Sequence, residues 1–165
     1  MQSIHKLENY FEQIVPHYIA PLSPKVLPKW GTMNATQMLD HLSDALKLSM
    51  GVYKIGEELI NEKWEKYKAI GFNSDRPLSK NFTNPIFSLL QKTDNVEHEQ
   101  AKYNLLQNYQ AFKQLFATQG AEFKTIHNMF GKLNYQEWLW FHYKHYAHHF
   151  AQFGLIEYVE RFDME

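Results

Sequence analysis

Cysteine is absent from the 165 residues. Disulfides are therefore excluded, and so is a thiol nucleophile carried by the chain itself. Any sulfur chemistry would have to bring its thiol in as a cosubstrate. Blocks of lysine and arginine are also missing, and the formal net charge is −1. Without a basic footprint for phosphates, a dedicated nucleic-acid binder is disfavoured. No apolar run approaches the ~20 residues of a membrane span. The first ten residues, Met1 to Tyr10, hold no apolar signal core. The expectation is a cytoplasmic protein with neither a membrane nor a nucleic acid as partner.

What the chain has in quantity is aromatic side chains, 16% of all residues, spread along its length. At this size a single domain over residues 1–165 with a real core is expected. Leu7, Tyr10, Phe11, Ile14 and Val15 recur at helical spacing and predict a first helix over 2–18. Pro21, Pro24 and Pro28 then impose an extended connection. Asn34 with Gln37 forms a capping box, flanked by Met33 and Met38 as a staple. The second helix that follows has Met38, Leu39, Leu42, Ala45, Leu46 and Ser49 on its buried side. Lys63, Lys66 and Lys68 among Glu62 and Glu65 predict a solvated helix face. Residues 71–85 form an irregular stretch, and Phe72, Phe82 and Tyr143 are possible pocket aromatics, although core packing explains such residues more often. Trp30 is expected as a core anchor. A third helix is predicted over 97–118, closed by Gly120 in an αL cap. Asn134 with Glu137, and Leu133 with Trp138, start a fourth helix that stops at Gly154. A short helix over 155–161 completes an all-α, four-helix bundle with no period-two strands.

The fourth helix carries four histidines in eight residues: His142, His145, His148 and His149. Trp138, His142, His145, His149, Gln152 and Ile156 are spaced by four, three, four, three and four, the inward seam of a bundle helix. Histidine thus stands where leucine normally would. A buried imidazole needs a hydrogen-bond partner or a metal. His145 and His149, one turn apart, can bind one ion from a single rigid element. The pairs His142/His145 and His145/His148 are geometric alternatives. A third ligand must come from elsewhere, and His41, bordering the buried stripe of the second helix, is the best candidate. His142 is placed second-shell or pocket-lining, and His148 is directed to solvent, the chain's own loops or a subunit partner. Three imidazoles leave an open position on zinc, nickel or iron. A set of buried, hydrogen-bonded histidines without metal is the plainer alternative.

The run Trp30-Gly31-Thr32-Met33-Asn34-Ala35-Thr36-Gln37-Met38-Leu39-Asp40-His41 resembles the second-helix entry of the DinB-like superfamily. Phe130-Gly131-Lys132-Leu133-Asn134 to Trp138, followed by His145-x-x-x-His149-x-x-Gln152-Phe153-Gly154-Leu155, resembles its last helix. More narrowly, the chain is similar to a DinB-like branch described as a domain of unknown function. The resemblance runs from Trp30 onward and is weak across 55–120. It implies a four-helix bundle of DinB-like type with long crossover connections, a divalent metal held by His41, His145 and His149, and a homodimer. An aromatic fourth helix on more than one face is consistent with that dimer. Some members of the superfamily transfer low-molecular-weight thiols such as bacillithiol or mycothiol, and mycothiol-dependent maleylpyruvate isomerase is a relative. The branch usually has His-Pro before the Phe-Gly pair, whereas this chain has His127-Asn128. His127 is placed either at the pocket mouth or on a surface loop.

Two classes of enzyme fit these features, each with a small-molecule substrate. One is a metal-dependent transferase that moves an external thiol to an electrophile. The other is a metal-dependent hydrolase, which would need a general base. Asp44 and Glu137 are nearest to that role, although Asp44 suits a helix surface or second-shell position and Glu137 a capping box. A non-catalytic metal or small-ligand binding bundle of the stress response is a third alternative. No catalytic residue is identifiable from the sequence.

Overall fold

The computed structural model describes residues 1–80, 84, 86 and 96–162. The chain is mostly helical. Helix α1 (Ile4–Asn9) continues through a π-wound turn (Tyr10–Ile14) into α2 (Val15–Ile19). The helices α3 (Ala35–Ser49), α4 (Trp64–Asn73), α5 (His98–Gln119) and α6 (Tyr135–Gln152) follow, with a hairpin of β1 (Thr125–His127) and β2 (Gly131–Leu133) before the last. Helix α3 packs along α5, and α6 packs against both α1 and α3. Among the described residues, no helix is long and apolar enough to cross a membrane.

The first helix departs from its expected winding for a local reason. Pro16 has no N–H to return to the preceding turn, and its ring crowds the carbonyl four residues back. The turn just before it widens to π geometry. Leu7, Phe11, Val15 and Ile19 all remain buried, but Ile14 rotates out to the surface, contrary to its predicted place on the inner face.

Both capping boxes form as written. The Asn34 side chain accepts from Gln37 N at 2.8 Å while Gln37 Oε1 accepts from Asn34 N at 2.9 Å. Asn134 and Glu137 do the same at 3.0 and 2.9 Å. These boxes set where α3 and α6 begin, and so fix the rotation at which their histidines face inward. The predicted stripe of α3 is buried throughout.

Several expectations are corrected. The hairpin interrupts the all-α reading, with Thr125 paired to Leu133 and His127 to Gly131. It ties α3 to α6, because Thr125 Oγ1 donates to Ser49 O at 2.6 Å and accepts from Trp138 Nε1 at 2.8 Å. Gly131 sits at φ +69°, and a Cβ there would lie 2.6 Å from the Trp64 ring, so only glycine fits. Helix α4 reaches into the stretch predicted to be irregular and takes up 71–73. Residues 155–161 form bends and irregular backbone rather than a helix. Gly120 ends α5 at φ +85° but with ψ 174°, an extended rather than αL exit.

Helix α6 is buried on nearly every side, with Tyr143 the exception among residues 138–152. Its aromatic faces are covered by the same chain. Tyr143 stacks on Trp140 and meets Tyr10 and Phe162 edge-on. The aromatic spread along this helix is thus accounted for without a second subunit. Phe72 packs on Phe130 as core, and Phe82 lies outside the described residues.

Candidate metal centre

His41 lies in the second turn of α3, and His145 and His149 lie one turn apart on α6. Their three rings meet at centroid distances of 4.8, 4.9 and 4.8 Å, each pair steeply inclined. The Nε2 atoms converge. His145 Nε2 is 2.9 Å from that of His41 and 3.1 Å from that of His149. All three ligand atoms lie within 4.8 Å of one another, and no carboxylate joins the group among the described residues. Nitrogens bound at about 2.0–2.1 Å to one zinc ion stand about 3.3 Å apart at tetrahedral angles and about 2.9 Å apart at right angles. The two separations at His145 fall in that interval, and the third pair, His41 and His149, lies within 4.8 Å, so the group could hold a metal ion.

The tautomer of His149 is settled by its neighbour. Gln152 Nε2 donates to the Trp30 carbonyl at 2.7 Å, so its Oε1 is the atom facing His149 Nδ1, also at 2.7 Å. An amide oxygen only accepts, hence His149 Nδ1 carries the proton and Nε2 presents a lone pair to the cluster. Sequence spacing placed Gln152 on the seam but did not reveal this role. The signal lay in its position three residues after His149. The Trp30 carbonyl that completes the chain of bonds carries no side-chain signature at all. Gly31 makes the approach possible, since a Cβ there would stand 2.6 Å from Gln152 Nε2. The loop is further fastened by Lys29 N donating to Gln152 O at 2.7 Å.

Burial holds His145 well below the ordinary imidazole range, reinforced first by His149 and His41 and then by His142 and His148. His149 is likewise pushed well down, by burial and then by His41, against the bond it donates to Gln152, which raises it. Both are neutral at pH 7, the state in which imidazole ligates metals.

The remaining predicted residues are placed as follows. His142 is fully buried, stacked on Trp138 at 5.5 Å and edge-on to Phe112 at 5.4 Å. Neither of its ring nitrogens has a hydrogen-bond partner among the described residues. Burial, helped by His127, lowers it to about 3. His127 is not at a pocket mouth or on the surface. Its ring is buried against Phe130, Phe141 and Trp138, its Nδ1 accepts from Met129 N at 3.0 Å, and burial lowers it to about 3. His148 meets the chain's own segment, with Nδ1 3.3 Å from Leu78 O.

Asp44 stands apart from the cluster. Its carboxylate accepts from Lys47 at 2.9 Å and from the Tyr53 hydroxyl at 2.7 Å. Glu137 serves its capping box and pairs with Lys68 at 2.8 Å, so Lys68 is no part of a merely solvated face. Sequence reasoning passed over His98 and Lys144. His98 is a satisfied structural histidine, with Thr36 Oγ1 at Nδ1 and the Leu22 carbonyl at Nε2, both at 2.8 Å. Lys144 is buried and donates to Gly71 O and Ser74 O at 2.8 and 2.6 Å, capping the end of α4. Burial lowers it to about 8.

One protein family matches almost the whole chain, Protein of unknown function (DUF1569), over residues 1–154. The chain belongs to this family. No curated protein and no solved structure matches it. The family carries no assigned reaction, so the chemistry of this DUF1569 member has to be argued from its histidines.

Proposed function

We propose that His41, His145 and His149 bind one divalent metal ion, zinc, nickel or iron, through their Nε2 atoms, and that the protein is a thiol transferase acting on small molecules. The convergence of three imidazole nitrogens from two helices carries the first part. The absence of cysteine is compatible with the second, since any thiol would arrive from outside. The resemblance to DinB-like bundles, some of which use low-molecular-weight thiols, favours the same reading and the four-helix architecture that goes with it.

When bound, the metal supplies Lewis acidity and a seat at which a thiol loses its proton near neutral pH. The chain's own part is to keep His145 and His149 neutral by burial, to orient His149 through Gln152 and Trp30, and, among the described residues, to add no carboxylate to the group. In the transfer itself the thiol sulfur forms a bond to an electrophilic carbon as that carbon's bond to its leaving group breaks; the leaving group departs as an anion with the bonding pair, and the thiol proton passes to solvent. A hydrolase reading is weaker, because Asp44 and Glu137, its nearest bases by sequence, are both engaged elsewhere.

Elemental analysis of protein made without a His tag tests the centre. About one metal per chain is expected in the parent and none in His41→Ala or His149→Ala. Thiol conjugation of 1-chloro-2,4-dinitrobenzene should then require the metal and fall to background in His145→Ala. A metal-loaded parent that conjugates no thiol, across glutathione, cysteine and glucosamine-derived thiols, would overturn the transferase reading and leave a binding protein.

A further inference from the structure

Outside the three-histidine centre, one cation in the chain is held in an unusual way. The Lys80 ammonium lies 4.9 Å from the centre of the Trp30 ring and 4.7 Å from that of Tyr158. The two rings stand at 87° with centroids 6.1 Å apart, so they form the two walls of a corner. No carboxylate lies within ion-pair distance of Lys80 among the described residues; its charge faces π surfaces instead. Such a hold is weak when solvent reaches it, and Lys80 and Tyr158 are both exposed.

The corner is physically continuous with the metal centre. The Trp30 ring meets His148 edge-on at 5.9 Å, and His148 meets His149 at 4.9 Å. The Trp30 carbonyl is also the acceptor that fixes Gln152, and through it His149. Trp30 therefore presents its ring to the cation and its backbone to the ligand sphere. Its indole N–H is buried with no acceptor among the described residues, so core hydrogen bonding does not account for the residue's placement.

We propose that Trp30 and Tyr158 form a subsite for an organic cation, a primary or quaternary ammonium group, and that Lys80 is the built-in occupant such a ligand displaces. The subsite stands on the geometry of the corner and not on the proposed metal function. Two perpendicular aromatic faces favour a cation over a neutral group of equal size, because the quadrupoles of both rings point their negative faces at it. Lys80, tethered in the chain, competes with every incoming cation.

Choline, with its neutral isostere 3,3-dimethylbutan-1-ol, separates charge from size. Titration calorimetry on the full chain should find weak choline binding, tightened about fivefold in Lys80→Ala by removal of the competitor. Tyr158→Leu in the Lys80→Ala background should weaken choline about tenfold, and the neutral isostere should bind about tenfold less well than choline. Tyr158 is exposed, so this variant tests the corner without disturbing Gln152. Choline binding should persist in His149→Ala, which separates the subsite from the metal centre. The proposal is overturned if Lys80→Ala binds no choline, or if it binds the neutral isostere equally well.

Discussion

His98 and His145 are both buried imidazoles, and they are buried in opposite ways. His98 has an oxygen at each nitrogen, a hydroxyl on one side and a carbonyl on the other. It fills its place with an ordinary set of hydrogen bonds. His145 directs Nε2 at two further imidazole nitrogens at 2.9 and 3.1 Å. Neutral imidazoles facing each other nitrogen to nitrogen offer too few protons for their lone pairs, whereas a metal ion can satisfy three at once. The ring nitrogens of His98 meet oxygen atoms, whereas Nε2 of His145 meets its own kind.

The largest effect that would sharpen this contrast is on stability with added metal. Zinc at about a thousand times its dissociation constant should stabilise the parent by about 4 kcal/mol, read as a rise in Tm. His41→Ala should lose nearly all of that rise, and an unchanged rise would break the comparison. Next comes Gln152→Ala, which frees His149 to turn. Removal of such a supporting partner typically costs about 10- to 100-fold in metal affinity, measurable by competition with a chromogenic chelator. An affinity equal to that of the parent would mean that Gln152 only packs.

His98→Ala should behave in the reverse manner. It leaves the Leu22 carbonyl and the Thr36 hydroxyl without their partner, at a cost of about 1–3 kcal/mol in denaturant unfolding, while metal affinity stays at the parent value. The smallest effect concerns His142, whose ring nitrogens have no hydrogen-bond partner among the described residues and which fits neither class. Exchange for phenylalanine removes two buried polar atoms and should stabilise the fold by about 1 kcal/mol at pH 7. His142 and His127 take up protons in the unfolded chain near 6.5 but in the fold only near 3. The unfolded state therefore binds more protons between those values, and stability falls as pH drops from 6.5 toward 3. Each group contributes up to about 1.4 kcal/mol per pH unit. Metal-free His142→Phe should show the shallower decline in Tm from pH 7 to pH 5, and an identical slope would show that His142 does not carry this term.

Much of the arrangement was legible from residue order. The boxes at Asn34 and Asn134 are local signals, readable because their partners lie three residues away. The seam of α6 was equally plain, since helical spacing alone brings His142, His145 and His149 to one side. His41 could be placed only by its border position on α3, and the fold brings it to the other two. What escaped were features whose cause is distant or very short. Strands of three residues contain too little alternation to betray a hairpin. The burial of His127 depends on Phe130, Phe141 and Trp138 closing around it. The part played by Asp44 was decided by Tyr53, nine residues away across the end of α3. The widened turn before Pro16 follows from a rule that was applied to Pro21, Pro24 and Pro28 but not there.

The separation of His41 from His145 by 104 positions along the chain has a consequence for biogenesis. During synthesis the first ligand exists long before the other two are made. An emerging N-terminal half offers a metal only one imidazole of the set, too little to retain it. With the metal binding proposed above, choice of ion would fall after the last helix docks, when the three nitrogens already have fixed spacing. At that moment the ions free in the surrounding fluid compete under one geometry, and local supply decides among those that fit. The element recovered with the protein would then report on the compartment in which its folding was completed.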